Sequence, residues 1–242
     1  MYDEGYIFRG EKLINWCPTC KTALSDAEVE HVDENSSLWY IRYPYADKSG
    51  YLVVATTRPE TMFGDVCVAV NPEDERYKGM IGKNVILPVI NKEIPIIADS
   101  YVEKDFGTGV VKITPAHDFN DFEVGKRHNF SPIKIMNLDG TMNENCGKYA
   151  NLDRYECRKQ LIEELKAQNL IEKIEPYRLP KATCYRCHSA IEPMMSKQWF
   201  MDMQDMAKLG LDAVDKQELE IVPQRVQKIY KNWLENIKDW CI

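Results

Sequence analysis

The sequence contains no long apolar run and no secretion signal. No stretch of the 242 residues approaches the roughly 20 apolar residues that a membrane-spanning helix needs. Residues 1–10 also lack the charged start and apolar centre of a signal peptide. We therefore expect a cytoplasmic protein with no membrane partner.

Several familiar catalytic and nucleotide-binding motifs are missing as well. The chain has no Gly-x-Ser-x-Gly elbow, no His-Glu-x-x-His motif, no phosphate-binding loop and no Gly-x-Gly-x-x-Gly turn. A hydrolase built from this sequence would therefore have no evident protein nucleophile. Attack by water in a preorganised pocket is the mechanism that remains.

Basic charge is scarce. The chain has 31 Lys and Arg against 38 Asp and Glu, a net charge of −7. Because phosphate neutralisation needs clustered basic side chains, this balance argues against a broad nucleic-acid surface. Residues 176–200 are a local exception, with four basic residues against one acidic residue. That segment is either an ordinary solvated face or a phosphate contact, so any nucleic-acid partner must be held mainly by groups outside the chain.

The eight cysteines are diluted through a large chain, which favours reduced thiols over a disulfide scaffold. Two Cys-x-x-Cys pairs stand out, Cys17 with Cys20 and Cys184 with Cys187. Together they supply the four thiolates of a closed, structural Zn²⁺ site. Because positions 21–183 separate the pairs, we predict a strand-rich segment inserted between two halves of a zinc module. A redox pair, unmetallated thiols, and His188 in place of one cysteine are the alternatives.

Hydrophobic patterning predicts an α+β chain that is mostly β. We divide it into 1–36, 37–175 and 176–242, where the first and third zones are the halves of the zinc-bound stem. The middle zone shows two hairpins and two further strands, typical of a barrel or sandwich. The predicted strands are residues 38–43, 51–56, 65–70, 85–90, 94–98 and 109–114. In residues 65–70 the valines alternate, which indicates a strand with one buried face.

Three helices are predicted. Residues 153–168 and 224–240 carry apolar side chains at helical spacing, and a short helix is expected near the start of the chain. In residues 224–240 the apolar stripe is expected to be buried by packing. It consists of Val226, Ile229, Tyr230, Trp233, Leu234, Ile237 and Trp240.

Two segments are too polar for their apolar surroundings. Residues 56–61 place three threonines, an arginine and a glutamate at the end of an apolar strand. Residues 106–122 contain a Gly-Thr-Gly turn, then Lys112 and Thr114 on one strand face, then Asp118 and Asp121 three positions apart. Each segment is a candidate site. The alternatives are a plain strand end for the first segment and, for the second, a helix cap at Asp118 with a solvated Asp121. His117 and His128 are expected to be structural.

These residues resemble the large connective insertion of valyl-tRNA synthetases, which belong to the class I group that also contains the isoleucyl and leucyl enzymes. The resemblance covers nearly the whole chain, and the stretch 112–123 is closer to the valyl pattern than to the other two. The HIGH and KMSKS adenylation signatures are absent. The segments that carry the resemblance are 15–18, 25–30, 56–61, 64–74, 107–109, 112–123, 191–194 and 233–242.

The resemblance implies a β-barrel-like editing domain with flanking helices, inserted in the zinc-bound stem, that hydrolyses threonine wrongly esterified to valine tRNA. Valyl enzymes need such a site because a valine pocket rejects isosteric threonine only ~100-fold. The implied partners are the mischarged tRNA and the rest of an ATP-dependent synthetase, and a monomer is expected. The alternatives are an isoleucyl or leucyl editing domain and a non-catalytic, zinc-stabilised tRNA-binding module.

The same resemblance assigns the site residues. Lys112 is expected to stabilise negative charge at the ester, Asp118 to read the side-chain hydroxyl together with a threonine, and Asp121 to bind the α-ammonium group. Water is the expected nucleophile, and the ribose hydroxyl of the tRNA is a candidate for helping to orient it. The substrate-binding residues are expected to be Thr56, Arg58, Thr61, Phe106 and Thr114.

Overall fold

A computed structural model describes residues 1–242 and shows a mixed α+β chain that is mostly strand. The strands are β1 (Ile7–Cys17), β2 (Thr22–Leu24), β3 (Val29–Pro44), β4 (Tyr51–Thr56), β5 (Cys67–Val70), β6 (Asn84–Leu87), β7 (Lys92–Ala98), β8 (Val110–Ile113), β9 (Ile171–Cys184), β10 (Glu192–Met201) and β11 (Trp240–Cys241). The helices are α1 (Phe119–Arg127), α2 (Arg154–Ala167), α3 (Gln204–Asp215) and α4 (Gln227–Glu235). No helix has the length and apolar character needed to cross a membrane.

The strands form three open sheets, with the orders β11-β10-β1-β2, β4-β3-β9 and β6-β7-β5-β8. By its contacts the chain divides into two compact units, a larger one of Leu13–Met195 and a smaller one of Met1–Lys12 with Ser196–Ile242. Every candidate site residue lies in the larger unit. The three-zone division at residues 36 and 175 stays a prediction.

The longest strand, β3, organises the larger unit. Its second half pairs with β4 in antiparallel register from Trp39↔Thr56 to Pro44↔Tyr51, which confirms the first predicted hairpin. Along its other edge, β3 pairs with β9 from Val29↔Cys184 to Ile41↔Ile171. A single extended ribbon therefore connects the cysteine pair at 184–187 with the strand that ends at Thr56.

The second predicted hairpin is also confirmed, because β6 and β7 pair from Asn84↔Pro95 to Leu87↔Lys92. The prediction of one buried face for residues 65–70 was wrong. All four residues of β5 are buried, since β5 lies between β7 and β8 and both of its faces are covered. Valine alternation therefore marked a central strand here, in which Cys67 and Ala69 are as buried as their neighbours.

The predicted helix at 153–168 is α2, and its boundary has a local cause. The Asp153 carboxylate accepts a hydrogen bond from the backbone N–H of Tyr155 at 2.8 Å, the usual N-cap arrangement. Further along α2, Leu161 and Leu165 are fully buried. Three further residues of α2 are buried, and one of them, Arg154, reaches the candidate site.

Two predictions fail at the ends of the chain. The first helical segment was predicted where the structure has β1, an eleven-residue strand held in a sheet between β10 and β2. The C-terminal helix is shorter than predicted, and much of its apolar stripe is not buried in this chain. Ile229 is 68% exposed and Trp233 55%. The reason is that α4 packs on one side only, against α3, where Leu234 and Tyr230 meet Gly210.

Candidate functional site

The two Cys-x-x-Cys pairs have the same local geometry. In each pair, the residue after the second cysteine has a positive φ, 54° at Lys21 and 56° at His188. In each, that residue's N–H donates to the carbonyl of the first cysteine at 2.8 Å. The repeated tight turn folds both thiols of a pair to the same side, which is what two ligands of one ion require.

The structure brings the four thiols together. The Sγ atoms of Cys17, Cys20, Cys184 and Cys187 all lie within 4.8 Å of one another. Tetrahedral Zn–S bonds of about 2.3 Å place sulfurs about 3.8 Å apart, so the cluster has the dimensions of a metal site. His188 points elsewhere, with Nδ1 3.5 Å from a Glu30 carboxylate oxygen. The donor set therefore fits a metal ion held by four cysteines, without the histidine.

The polar segment at 56–61 continues β4 into a short 3₁₀ helix, Pro59–Gly64, whose six residues are all buried. Two of its buried side chains are polar, Glu60 at 1% exposure and Thr61 at 4%. The two carboxylate oxygens of Glu60 accept hydrogen bonds from the guanidinium group of Arg158 in α2, at 2.7 and 2.8 Å. This segment is therefore part of a charged interior and does not end as a solvated loop.

Arg58 is held by the same interior. Its guanidinium forms an ion pair with Glu192 of β10, lies 3.5 Å from Glu60, and donates to the His117 carbonyl at 3.0 Å. Glu192 in turn pairs with Arg154 of α2 at 2.7 Å. With its donors engaged by these partners, Arg58 chiefly fixes the position of its own segment.

Lys112 lies at the centre of the site. Its side chain is 8% exposed, and Nζ contacts three oxygens: Thr61 Oγ1 at 2.8 Å, Asp65 Oδ1 at 2.9 Å and Thr114 Oγ1 at 2.6 Å. Asp65 is fully buried and also receives the hydroxyl of Tyr43 at 2.8 Å. Burial raises the pKa of Asp65, and the Lys112 charge and these hydrogen bonds oppose that rise.

Asp121 is the buried carboxylate with the fewest partners. It is 8% exposed, forms no ion pair, and accepts one hydrogen bond, from the Thr114 N–H at 2.8 Å. Burial and the neighbouring Asp118 charge raise the pKa of Asp121 to about 7. The carboxylate therefore has one oxygen free to meet a ligand.

Asp118 begins α1. Its carboxylate accepts hydrogen bonds from the backbone N–H groups of Asn120 at 2.8 Å and Asp121 at 3.1 Å. Asp118 therefore caps α1, as one of the two interpretations of the sequence predicted. Asp118 is nevertheless exposed, and its second oxygen is free to meet a ligand.

His117 is structural, as expected from the sequence. Nε2 accepts the N–H of Ile135 at 3.1 Å, so the proton sits on Nδ1, which faces the Pro193 carbonyl at 3.2 Å. Burial and the Arg58 charge lower the pKa of His117 to about 3. A neutral imidazole with both nitrogens engaged is not available as a nucleophile or a general base.

A single chain of hydrogen bonds connects most of the predicted site residues. The Arg58 N–H donates to Thr56 Oγ1, Thr61 Oγ1 donates to the Arg58 carbonyl, and Lys112 bridges Thr61 and Thr114. The chain continues from Thr114 to Asp121 and from Asp121 to Asp118. Its members come from three parts of the sequence, β4 with the following 3₁₀ helix, β8, and the start of α1.

Phe106 is the predicted residue that the hydrogen-bond chain does not include. It is 57% exposed and precedes Gly107 and Thr108, which help line a groove of about 440 Å³ with Tyr40, Tyr51 and Tyr77. The turn requires glycine at position 109, where φ is 72° and a Cβ would come within 2.9 Å of the Lys104 carbonyl. Phe106 is therefore a ring presented to solvent at a rigid turn.

Most basic side chains of the locally basic segment, residues 176–200, form ion pairs with acidic neighbours. Arg178 and Lys181 of β9 form ion pairs with Asp33 and Glu34 of β3, at 2.7 and 2.6 Å. Arg186 lies 3.6 Å from a Glu28 oxygen. Carboxylates therefore pair with three of the four basic side chains, which favours a solvated face over a phosphate contact.

Four residues of this site received no role from the sequence, namely Tyr43, Asp65, Glu60 and Glu192. Glu60 lies inside the polar segment 56–61, and Asp65 and Glu192 are charged residues beside apolar ones, which was the available signal. Tyr43 carried no such signal, because its partner Asp65 meets it only through tertiary packing.

Comparisons with known proteins identify the family of this chain. The family described as tRNA synthetases class I (I, L, M and V) matches residues 1–242. This chain belongs to that class I synthetase family. It is 56% identical to the valine–tRNA ligase of Carboxydothermus hydrogenoformans, 53% to that of Clostridium tetani and 52% to that of Pseudothermotoga lettingae. Each of these alignments covers 100% of the chain and 28% of the relative. The class I chain therefore spans just over a quarter of the length of these relatives.

Proposed function

We propose that this chain is the editing domain of a valine–tRNA ligase and that it hydrolyses threonine esterified to valine tRNA. In this reaction water adds to the ester carbonyl, the bond from that carbon to the ribose oxygen breaks, and threonine and tRNA are released. Asp121 carries the proposal, because it is a buried carboxylate with one hydrogen bond and no ion pair.

An aminoacyl ester supplies the missing partner. Its α-ammonium group is a compact cation, and charge-assisted hydrogen bonds to a carboxylate are among the strongest polar contacts in proteins. Ionised Asp121 would bind this group and so fix the orientation of the ester. The raised pKa of Asp121 supports this role, since burying the carboxylate without a cation is unfavourable and a bound cation relieves that penalty.

The polar lining supports threonine as the side chain that is accepted. Thr61 and Thr114 lie within 2.8 Å of Lys112 Nζ, and Asp118, which caps the helix that carries Asp121, has a free carboxylate oxygen. A threonine hydroxyl can hydrogen-bond to a lone pair that such groups still have free, whereas a valine methyl displaces water from it without replacing the hydrogen bond, at roughly 1–3 kcal/mol each. The site would therefore accept the error and refuse the correct product.

Water is the nucleophile in this proposal. The buried histidine is neutral with both nitrogens engaged, and the cysteines belong to the separate cluster, to the core or, for Cys241, to the smaller unit. Lys112 places a positive charge beside the reacting ester, where negative charge develops on the carbonyl oxygen. Asp118 and the tRNA ribose hydroxyl would orient the attacking water.

The remaining architecture fits the same proposal. An isolated bridge between Tyr45 and Val85 joins the edge of β3 to β6, which supports a barrel-like editing domain built from two of the sheets. The four cysteines would hold Zn²⁺, whose role is to stabilise the stem because no coordination position stays open. The partners would be mischarged valine tRNA and the rest of the synthetase, in a monomeric cytoplasmic enzyme.

The test compares cleavage of threonyl-tRNA and valyl-tRNA esters. The chain is assayed alone and also in place of the matching segment of the Carboxydothermus hydrogenoformans enzyme, to which it is 56% identical. Asp121→Asn keeps the shape and the acceptor for Thr114 but removes the charge. Asp139→Asn is the matched control, because Asp139 is exposed and accepts a similar local hydrogen bond from Thr141.

We expect rapid cleavage of the threonyl ester alone, a loss of at least 100-fold in Asp121→Asn, and no loss in Asp139→Asn. This size corresponds to removing one charge-assisted contact of about 3 kcal/mol. If both forms of the wild-type protein bind the tRNA but cleave neither ester, the chain is a binding module and the editing proposal is wrong.

A further inference from the structure

Asp65 is a buried carboxylate with no role in the mechanism above. It is fully buried and follows the 3₁₀ helix Pro59–Gly64. Its Oδ1 atom accepts hydrogen bonds from Lys112 at 2.9 Å and from the Thr114 hydroxyl at 2.6 Å. Its Oδ2 atom accepts the Tyr43 hydroxyl at 2.8 Å. Both oxygens are therefore used, and no part of Asp65 is available to a ligand.

The ammonium group of Lys112 is saturated in the same way. It has three N–H bonds and no acceptor, and it contacts three oxygens, on Thr61, Asp65 and Thr114. No N–H remains for the ester. Within the proposed reaction Lys112 therefore acts as a fixed positive charge and not as a direct hydrogen-bond donor.

The two threonine hydroxyls are fixed as well. Each has one proton, and both protons are committed: Thr114 donates to Asp65, and Thr61 donates to the Arg58 carbonyl at 2.8 Å. Each hydroxyl oxygen also accepts from Lys112, which leaves it one lone pair. Toward a ligand, both hydroxyls can only accept a hydrogen bond.

Thr114 connects the hydrogen bonds around Asp65 and Lys112 to Asp121, the proposed binding site for the α-ammonium group of the substrate. Its N–H donates to Asp121 at 2.8 Å while its hydroxyl donates to Asp65, so one residue lies between the two carboxylates. An amino acid whose α-ammonium binds Asp121 has its side chain only two bonds farther along. The fixed acceptors therefore lie close to the position of that side chain.

We propose that Asp65 is a positioning residue that sets the specificity of the editing site, by holding Lys112 and the Thr114 hydroxyl so that the site presents hydrogen-bond acceptors to the bound side chain. A threonine hydroxyl donates to such an acceptor. A valine methyl cannot, and it covers the remaining lone pair of that acceptor without replacing the hydrogen bond that water would give it. This inference rests on the proposed function and adds to it the origin of the preference for a hydroxylated side chain.

The test measures kcat/KM for the threonyl and valyl esters of valine tRNA in Asp65→Asn, using the chain alone and within the relative's full-length enzyme. The matched control is Asp99→Asn. Asp99 is also a buried carboxylate, 5% exposed, and its partners are Arg127 and His128. A melting curve and the metal content of each variant report folding independently of activity.

Asp65→Asn leaves Lys112 without its counter-ion, so a second variant guards against misfolding. Asp65→Asn combined with Lys112→Met removes both buried charges, a change that proteins often tolerate well. In this double variant Thr114 loses the Lys112 donor and keeps only a neutral amide acceptor at position 65, so its hydroxyl is no longer fixed, while the backbone N–H that holds Asp121 is retained.

We expect the ratio of threonyl to valyl kcat/KM to fall about tenfold or more in Asp65→Asn and in the double variant, since the Thr114 hydroxyl is no longer held as an acceptor for the hydrogen bond from the threonyl side chain. Asp99→Asn should lower the melting temperature and keep the ratio. If both rates in Asp65→Asn fall only with the folded fraction and the ratio stays at the wild-type value, Asp65 is merely structural and this inference is overturned. If the wild-type protein cleaves neither ester, the proposed function fails and this inference fails with it.

Discussion

The backbone N–H of Thr114 donates to a carboxylate oxygen of Asp121 at 2.8 Å, and this is the single hydrogen bond that the buried carboxylate receives within the chain. Asp121 is held in place by the residue that follows β8 but forms no ion pair. A group in this state affects stability and activity in opposite ways, because the charge that would bind a ligand is unfavourable in the free protein.

The first prediction concerns stability. Because the pKa of Asp121 is raised to about 7 in the folded chain, folding takes up a proton between pH 4 and pH 7. Its contribution to stability is complete below about pH 4 and is lost as the pH rises through 7. We expect Asp121→Asn to be more stable than wild type at pH 8, by a few kcal/mol, and equal to it near pH 4. Urea unfolding at pH 4, 6 and 8 measures this difference, and a pH-independent difference would contradict it.

The second prediction concerns the pH dependence of editing. The α-ammonium group binds ionised Asp121, so kcat/KM for the threonyl ester should rise as the pH passes about 7. It should fall again as the substrate amino group loses its proton, near its ordinary pKa of about 8. Asp118→Asn should move the rising limb to lower pH, because the Asp118 charge raises the pKa of Asp121.

Asn is as good a helix cap as Asp, so Asp118→Asn should keep α1 intact. Asp139→Asn, at an exposed carboxylate with a similar local hydrogen bond, should leave the profile unchanged. A rising limb that stays in place in Asp118→Asn would mean that another group controls it.

The sequence predicted those parts of the fold that depend on local pattern. Both hairpins and α2 are set by short apolar runs and caps, and the cysteine pairs are recognised by spacing alone. The stripe in α4 was misjudged for the same reason, since periodicity at Ile229 and Trp233 shows an apolar face but not whether this chain covers it. Of the hydrogen-bond network around Lys112, the sequence predicted the two threonines but not Asp65 and Tyr43, because these two residues reach the network through tertiary packing.

The third prediction concerns the charged interior beside Arg58. Glu60 is 1% exposed and receives Arg158 through two hydrogen bonds. Removing its charge by Glu60→Gln leaves Arg158 partly unpaired in the interior, which should reduce the free energy of unfolding by about 3 kcal/mol. Glu73→Gln is the matched control, because Glu73 is 79% exposed and pairs with Lys104 at the surface. This control should change stability by less than about 0.5 kcal/mol. Equal effects of the two substitutions in urea unfolding would show that the buried pair contributes nothing beyond a surface pair.

The last prediction concerns the metal. Four thiols within 4.8 Å, set on two tight turns with positive φ, should bind one Zn²⁺ per chain. The ion would cross-link the end of β1 to the end of β9, since Cys17 and Cys184 are separated by residues 18–183. Removal by a chelator should therefore lower the melting temperature by about 10 °C, since metal binding is coupled to folding.

The cysteine variants make this prediction specific to the cluster. Cys184→Ser should lower the melting temperature and the zinc content together. Cys241→Ser should change neither, because Cys241 lies in the smaller unit and outside the cluster. Zinc analysis of the purified chain combined with thermal melting gives both readouts. A chain that contains no zinc and melts at the same temperature with and without chelator would show that the thiols are unmetallated, and the proposed role of the metal in the stem would then be wrong.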